Sequence, residues 1–181
     1  MTAAIEGSSI SEPTLALVYS TIWSTGFLRH CRRMLTPTPS EEFYWTTGIE
    51  VCGIFVPLCL APVAYTSASA AGVVVDGLSN MRQLMQMDKH GHRPIAPVHS
   101  HPGRGAKCVT PSRIDYSMQR RFERAGYVTH GVIFSRDGFI RAFSWELDFE
   151  MQVYGNGIEQ LDRNLFRLTP ISHATRTAHQ A

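Results

Sequence analysis

A chain of 181 residues with 44% hydrophobic and 18% charged residues has the composition of a folded globular protein and not of a disordered one. Its 17 basic and 15 acidic residues leave a formal charge of +2, which is too small to indicate a nucleic-acid or membrane partner. The four cysteines show no CxxC spacing, which suits reduced thiols, and we expect a cytoplasmic location. The length fits one domain, which we place at residues 14–168, between a flexible leader at residues 1–13 and a mobile tail at residues 169–181.

The spacing of apolar, β-branched and turn-forming residues predicts a mixture of strands and helices. Strands are predicted at residues 14–23, 42–47, 51–60, 72–75, 95–101, 128–135, 139–145 and 149–154, and helices at residues 27–35, 78–90 and 112–125. Residues 157–168 fit either type of element. This order predicts an α/β (α+β) unit with a mixed central sheet flanked by helices.

Two local features of this pattern bear on the fold. The uncharged run at residues 51–75 is interrupted by Pro57 and Pro62, which favours two buried strands over a membrane span. Gly48 predicts a bend just before this run. The helix at residues 78–90 has a methionine-rich face, and we expect that face to pack in the core.

Two histidines and an aspartate form a candidate metal site near the middle of the chain. His99 and His101 are at positions i and i+2 of a predicted strand, so their side chains point to the same face. Asp115 lies in the first turn of the next helix and can supply a third ligand. Two imidazoles and a carboxylate suit Zn²⁺, and a catalytic zinc keeps three protein ligands and one open position. An HxH pair also occurs in loops that bind no metal.

Ser112 has both a structural and a chemical interpretation. Ser112 and Asp115 share one face of the predicted helix, so the serine hydroxyl would face the same ion. The Ser-x-x-Asp spacing is also that of a helix capping box, which requires no chemistry. However, Thr110 can serve as the N-cap with Pro111 at the first helical position, and the hydroxyl of Ser112 would then be free.

The motif H-S-H-P-G followed by S-x-x-D resembles the JAMM signature of the MPN (JAB) domain metalloproteases. That family also has an upstream glutamate, and Glu50, followed by Val51-Cys52-Gly53, fits its pattern. The resemblance extends from about Glu42 to Trp145 and implies one MPN domain of cytidine-deaminase-like architecture. It implies Zn²⁺ held by His99, His101 and Asp115. It also implies that Glu50 is the catalytic base and that Ser112 donates a hydrogen bond to the oxyanion.

The chain departs from the family in the loop at residues 104–111, which is longer than usual and contains Cys108. The thiol has two interpretations. It is either an ordinary loop cysteine, or a latent ligand that occupies the open position of the zinc. Because the spacing from Ser112 to Asp115 is kept, we expect a longer loop and no lost ligand.

By resemblance, the reaction is hydrolysis of an isopeptide or peptide bond after the C-terminal glycine of a ubiquitin-like protein. Similar stand-alone bacterial proteins occur beside E1-like and E2-like proteins in ubiquitination-like, antiphage systems, and others process sulfur-carrier proteins. These proteins and their conjugates are therefore the expected partners. The alternative is a non-catalytic MPN-type scaffold that binds partners. A zinc deaminase is excluded because the chain lacks the H-x-E and P-C-x-x-C motifs.

Overall fold

A computed structural model describes residues 19–170 of the chain. The predicted leader, and the predicted tail from residue 171 onward, lie outside the described residues. The strands are β1 (Tyr19–Ser24), β2 (Phe43–Val51), β3 (Ile54–Pro62), β4 (Tyr65–Ser69), β5 (Gly72–Val75), β6 (Arg93–His101), β7 (Gly131–Ser135), β8 (Phe139–Phe143), β9 (Phe149–Tyr154), β10 (Ile158–Asp162) and β11 (Leu165–Leu168). The helices are α1 (Thr25–Leu35), α2 (Gly77–Lys89) and α3 (Arg113–Arg124), and a 3₁₀ turn spans Ala106–Val109.

Within residues 19–170, nine strands form one mixed sheet in the order β10-β11-β8-β7-β6-β2-β3-β1-β9. The pairs β6–β7, β1–β3 and β1–β9 are parallel, and the other neighbours are antiparallel. Strands β4 and β5 form a separate hairpin beside the start of β2, where the amide of Glu41 donates to the carbonyl of Ser69 at 2.8 Å. The predicted mixed sheet flanked by helices is confirmed.

Neighbouring residues of each strand point to opposite sides, so the sheet has apolar side chains on both faces. Helices cover each of these faces. Leu28, Cys31 and Leu35 of α1 pack with Trp23 into the larger core on one face. On the other face, side chains of α2 and α3 pack against Phe43 and Trp45 of β2 in a second core. The side chain of Asp76 accepts from the amide of Ser79 at 2.7 Å and caps the start of α2.

The turn between β2 and β3 lies at Cys52 and Gly53, not at Gly48. Cys52 and Gly53 both have positive φ, 52° and 77°, and Val51 pairs with Ile54, which defines a two-residue hairpin turn. Gly48 stays in the ladder, but the register of the β2–β3 pair shifts between Thr47 and Gly48, an irregularity that agrees with the bend predicted there. Glycine is required there by close approach: a Cβ on Gly48 would lie 1.9 Å from the carbonyl oxygen of Val56.

The methionine-rich face of α2 is mostly exposed, contrary to the prediction that it packs in the core. Met87 is buried, but Leu78, Met81 and Met85 have exposed fractions of 64%, 57% and 64%. Only one edge of α2 meets the sheet, so the other apolar side chains remain at the surface. Among residues 19–170, no helix is long and apolar enough to cross a membrane.

Candidate metal centre

Three predicted ligands meet where the C-terminal end of β6 faces the first turn of α3. His99 and His101 project from β6, and their Nε2 atoms are 3.2 Å apart. The carboxylate of Asp115 lies 3.0 Å from Nε2 of His99 through Oδ1 and 3.7 Å from Nε2 of His101 through Oδ2. One ligand atom from each residue lies within 4.8 Å of the others. The structure therefore brings together His99, His101 and Asp115, as the sequence predicts.

The spacing of these atoms fits one tetrahedral ion. Two ligand atoms bound to the same tetrahedral zinc are separated by about 3.3 Å, given bonds of about 2.05 Å. The observed separations of 3.2, 3.0 and 3.7 Å bracket this value. His99 is 2% exposed and Asp115 is 7% exposed, so the carboxylate lies in surroundings that strengthen its attraction for a cation. The donor set and its spacing suit a metal with three protein ligands.

The orientation of His101 is fixed by the backbone of the long loop. Its Nδ1 lies 2.7 Å from the carbonyl oxygen of Cys108, which can only accept a hydrogen bond. In its neutral form His101 therefore carries its proton on Nδ1 and presents the lone pair of Nε2 to the cluster, as a metal ligand requires. His99 has no comparable support, since its buried Nδ1 lacks a hydrogen-bond partner among residues 19–170.

Of the two interpretations of Cys108, the ordinary loop cysteine agrees with the structure. Cys108 lies in the 3₁₀ turn, and its Sγ lies 3.7 Å from the carbonyl oxygen of His101, in donor geometry. Among the described residues, the group able to hold a metal contains no cysteine. Burial raises the pKa of the Cys108 thiol, which further disfavours the thiolate that a metal would need.

Ser112 is the N-cap of α3, so of the two caps that the sequence allows, the structure has Ser112 and not Thr110. The hydroxyl of Ser112 accepts from the amide of Asp115 at 3.3 Å, and Oδ2 of Asp115 accepts from the amide of Ser112 at 2.6 Å. This capping box satisfies two backbone donors at once, which Thr110 and Pro111 could not do. The hydroxyl of Ser112 uses a lone pair in this contact, so its own hydrogen remains available to donate.

The capping box also orients the carboxylate of Asp115. One oxygen is held by the amide of Ser112, which leaves the other directed at His99. Burial raises the pKa of the Asp115 carboxyl, but the hydrogen bond and charge of His99 and the hydrogen bonds with Ser112 lower it by more. The pKa consequently lies well below its ordinary range. Asp115 is therefore ionised and ready to bind a cation at neutral pH.

Glu50 does not reach this cluster, so its predicted place at the metal is wrong. In the antiparallel β2–β6 pair, Phe43 is opposite His99 and Gly48 is opposite Arg93. Arg93 is about 20 Å along β6 from His99, because six strand residues rise by about 3.3 Å each. Glu50 lies beyond Gly48 and forms an ion pair with Arg93 at 2.9 Å. The residues around Glu50 form the hairpin turn at the end of the β2–β6 pair that lies away from the metal cluster.

A different glutamate, Glu41, lies beside the histidines. It is two residues before the start of β2, at the end that adjoins His99, and its Oε1 lies 4.0 Å from Nε2 of His101. Its side chain is 13% exposed. Burial raises the pKa of the Glu41 carboxyl, which His101 opposes and Asp115 reinforces. The sequence feature that could have identified Glu41 is the pair of glutamates before β2. It places Glu41 beside the histidines only once β2 is known to pair with β6 in antiparallel orientation.

The neighbouring Glu42 is engaged elsewhere. Its carboxylate accepts hydrogen bonds from the hydroxyls of Thr38 and Tyr65 at 3.1 and 3.2 Å. Its backbone is tied to β6, because the amide of Glu42 donates to the hydroxyl of Ser100 at 3.1 Å and its carbonyl accepts from the amide of Ser100 at 3.1 Å. These contacts fix the start of β2 against the end of β6, and so hold Glu41 beside the histidines.

Solved structures resemble the chain at low sequence identity. The solution structure of protein DSY2949 from Desulfitobacterium hafniense aligns with a TM-score of 0.48 and 16% identity, over 75% of this chain and 95% of that one. The crystal structure of AF2198, a JAB1/MPN domain protein from Archaeoglobus fulgidus, aligns with a TM-score of 0.44 and 15% identity, over 75% and 98%. No family model and no curated protein matches the chain.

Proposed function

We propose that this protein is a zinc-dependent peptidase or isopeptidase of the JAMM type. The observation that supports it most is the cluster of His99, His101 and Asp115, whose ligand atoms lie within 4.8 Å of one another. Glu41 stands 4.0 Å from His101, and Ser112 lies at the adjacent helix N-terminus. Metal-assisted hydrolysis requires three metal ligands, one carboxylate that does not bind the metal and one hydroxyl that can donate a hydrogen bond.

The residues around the ligands have distinct proposed roles. Zinc, when bound, supplies a positive charge that polarises a carbonyl and lowers the pKa of water. Glu41 accepts a proton from the attacking water and delivers it to the leaving amine, so that one carboxyl acts first as base and then as acid. The hydroxyl of Ser112 donates a hydrogen bond to the oxygen on which negative charge develops. The Cys108 carbonyl keeps His101 in its ligating tautomer.

The resemblance of H-S-H-P-G and S-x-x-D to the JAMM signature suggests the substrate. We propose that the scissile bond follows the C-terminal glycine of a ubiquitin-like protein, either in a conjugate or in a precursor. We propose that the protein acts in the cytoplasm, in a bacterial ubiquitination-like system that defends against phage. Its partners there would be activating (E1-like) and conjugating (E2-like) proteins. The glycine tail would lie extended, held by backbone hydrogen bonds.

A combined metal and cleavage assay tests this function. The full chain is analysed for zinc by elemental mass spectrometry, and a panel of ubiquitin-like proteins with an amine reporter on the terminal glycine is tested for cleavage. We expect one zinc per chain and cleavage that a chelator abolishes and added zinc restores. The variant His99→Ala should lose both. Bound zinc with no cleavage of any panel member would favour the non-catalytic scaffold instead.

A further inference from the structure

A cavity of about 530 Å³ lies on the side of α3 that faces strand β8. One wall is formed by Thr110 and Pro111, which connect the long loop to the metal-binding turn of α3. The opposite walls are formed by β8, where Arg141 lies, and by the turn between β10 and β11 at residues 162–164. The end of the long loop therefore separates the metal centre from a second concave surface.

Arg141 lies on the same face of the sheet as the metal ligands. His99 of β6 pairs with Ile133 of β7, and Ile133 pairs with Arg141 of β8, so the three side chains form one row across the sheet. Two strand spacings of about 4.8 Å separate the backbones of His99 and Arg141 by about 10 Å. Leu165 of β11 pairs with Arg141 on its other side. The aliphatic stem of Arg141 is thus held between two buried residues.

The guanidinium of Arg141 differs from those of the other partly buried arginines. Five arginines have a buried Nε that lacks a hydrogen-bond partner among residues 19–170. Arg29, Arg32 and Arg136 each donate through another nitrogen to backbone carbonyls, and Arg120 stacks on an aromatic ring. Within the same described range, Arg141 makes no hydrogen bond, ion pair or ring contact. Arg141 therefore places a cation in the wall of the cavity, and the N–H groups of this guanidinium have no partner among residues 19–170.

The chemistry of the cavity selects the kind of anion that this cation can bind. A guanidinium presents a planar fork of N–H donors that matches the two oxygens of a carboxylate. The cavity also contains Asp148 and Asp162, and Asp148 is already paired with Arg163 at 2.6 Å. Asp162 has no ion-pair partner among residues 19–170, and its charge would repel a phosphate dianion more strongly than a single carboxylate. A carboxylate is therefore the ligand that fits best.

We propose that this cavity is a substrate subsite in which Arg141 binds an aspartate or glutamate side chain of the polypeptide cleaved at the metal. The inference rests on the proposed peptidase function. An extended peptide advances about 3.3 Å per residue and must pass over the long loop, so the acidic residue lies at least about three residues from the scissile bond. The long loop, through Thr110 and Pro111, would then shape substrate preference and not only separate the ligands in sequence.

Paired peptides test the subsite. Fluorescent peptides with a central Gly-Gly contain a single Glu, or a Gln in its place, at each position within about eight residues of that pair, which covers a path of at least about 10 Å over the loop. Binding to the zinc-loaded full chain is measured by fluorescence anisotropy, and cleavage is measured in parallel. At one position we expect Glu to be preferred over Gln by roughly tenfold, as a charge-assisted hydrogen bond allows.

Variants at position 141 identify the cause of the preference. Arg141→Met keeps the packed stem and should reduce the ratio of Glu to Gln to about one, and Arg141→Lys should retain only part of it. Arg121→Met, which removes an exposed arginine of α3, is the matched control and should leave the ratio unchanged. Thermal melting verifies that each variant is folded.

The two measurements separate the subsite from the peptidase function. A Glu preference in binding that disappears in Arg141→Met supports the subsite even if no peptide is cleaved. The absence of cleavage would refute the peptidase function and not the subsite. Cleavage with no Glu preference at any position would overturn the subsite and leave the function standing. A preference that persists in Arg141→Met would also overturn it, as would the absence of any preference in both assays.

Discussion

The two ends of the β2–β6 pair carry similar residues and differ in what surrounds them. At one end, Glu41 is 13% exposed in its side chain and lies beside His101. At the other end, Glu50 is 32% exposed in its side chain and pairs with Arg93, which is 63% exposed. Only the first glutamate is held close to residues that can bind a metal. Chemical role in this fold is thus set by which end of an antiparallel ladder a carboxylate occupies.

The largest effect that the comparison predicts is on turnover. Glu41→Gln removes the proposed proton acceptor and should reduce kcat by roughly 10²–10⁴-fold, with zinc content unchanged. Glu50→Gln is the control at the other end and should retain the activity of the unmodified chain. Steady-state cleavage of a ubiquitin-like fusion measures both. If the two substitutions gave equal losses, the two ends would not differ as proposed.

The capping serine should show a loss of rate that exceeds its loss of stability. Ser112→Ala removes the proposed donor to the oxyanion and should reduce kcat by about 10²–10³-fold. It also removes the cap of α3 and should lower the free energy of unfolding by about 1 kcal/mol. Ser24 caps α1 far from the ligands in sequence, and its Oγ accepts from the amide of Phe27 at 3.0 Å. Ser24→Ala should therefore match the stability loss while retaining kcat, and an equal kcat loss in both variants would contradict the role of Ser112.

A buried histidine outside the metal centre should make the whole fold acid-sensitive. His130 is fully buried against Tyr19, Trp23 and Phe149, and neither ring nitrogen has a hydrogen-bond partner among residues 19–170. Burial lowers its pKa from 6.5 to about 3. The unfolded chain therefore binds this proton below pH 6.5 while the folded chain resists it until about pH 3.

The stability that His130 contributes is thus fully present above pH 6.5 and is lost as the pH falls toward 3. Between pH 7 and 5 we expect a loss of about 2 kcal/mol from this residue. His130→Phe should remove that part of the slope in urea unfolding measured at each pH. All other residues are the same in both proteins, so their contribution to the slope cancels in the difference. Identical slopes would show that His130 finds a partner in solution.

The smallest effect belongs to the ion pair at the far end. Because Glu50 and Arg93 are substantially exposed, water and salt screen their attraction. Glu50→Gln should lower the free energy of unfolding by no more than about 0.5 kcal/mol. Urea unfolding in low and high salt measures it, and a loss above 2 kcal/mol would mean that this end is more tightly organised than its exposure indicates.

Local patterns correctly predicted which three candidate ligands lie together. The period of two along a strand places His99 and His101 on one face, and the Ser112-to-Asp115 spacing places the third candidate at a helix start. These relations extend over a few residues and need no knowledge of the tertiary fold. The same local rules do not choose between Ser112 and Thr110 as the cap, because Pro111 at the first helical position makes Thr110 equally consistent with the sequence.

The glutamate could not be chosen by local pattern. Glu50 matched the motif, but the choice between Glu41 and Glu50 depends on the register of β2 against β6, which is a non-local property. The exposure of Met81 and Met85 was missed for the same reason, since the pattern defines an apolar face but not whether that face meets the sheet. The segment that forms β10 and β11 has no clear period, so its sequence fits either a helix or strands.

The contact between His101 and Cys108 has a consequence for how this region tolerates change. The acceptor is a main-chain carbonyl, so replacing the side chain at position 108 cannot remove it. Deleting or inserting one residue in the loop would move that carbonyl and turn the imidazole with it. The loop at residues 104–111 should therefore tolerate substitutions better than changes of length. The number of residues in the loop, more than their identity, should determine metal affinity.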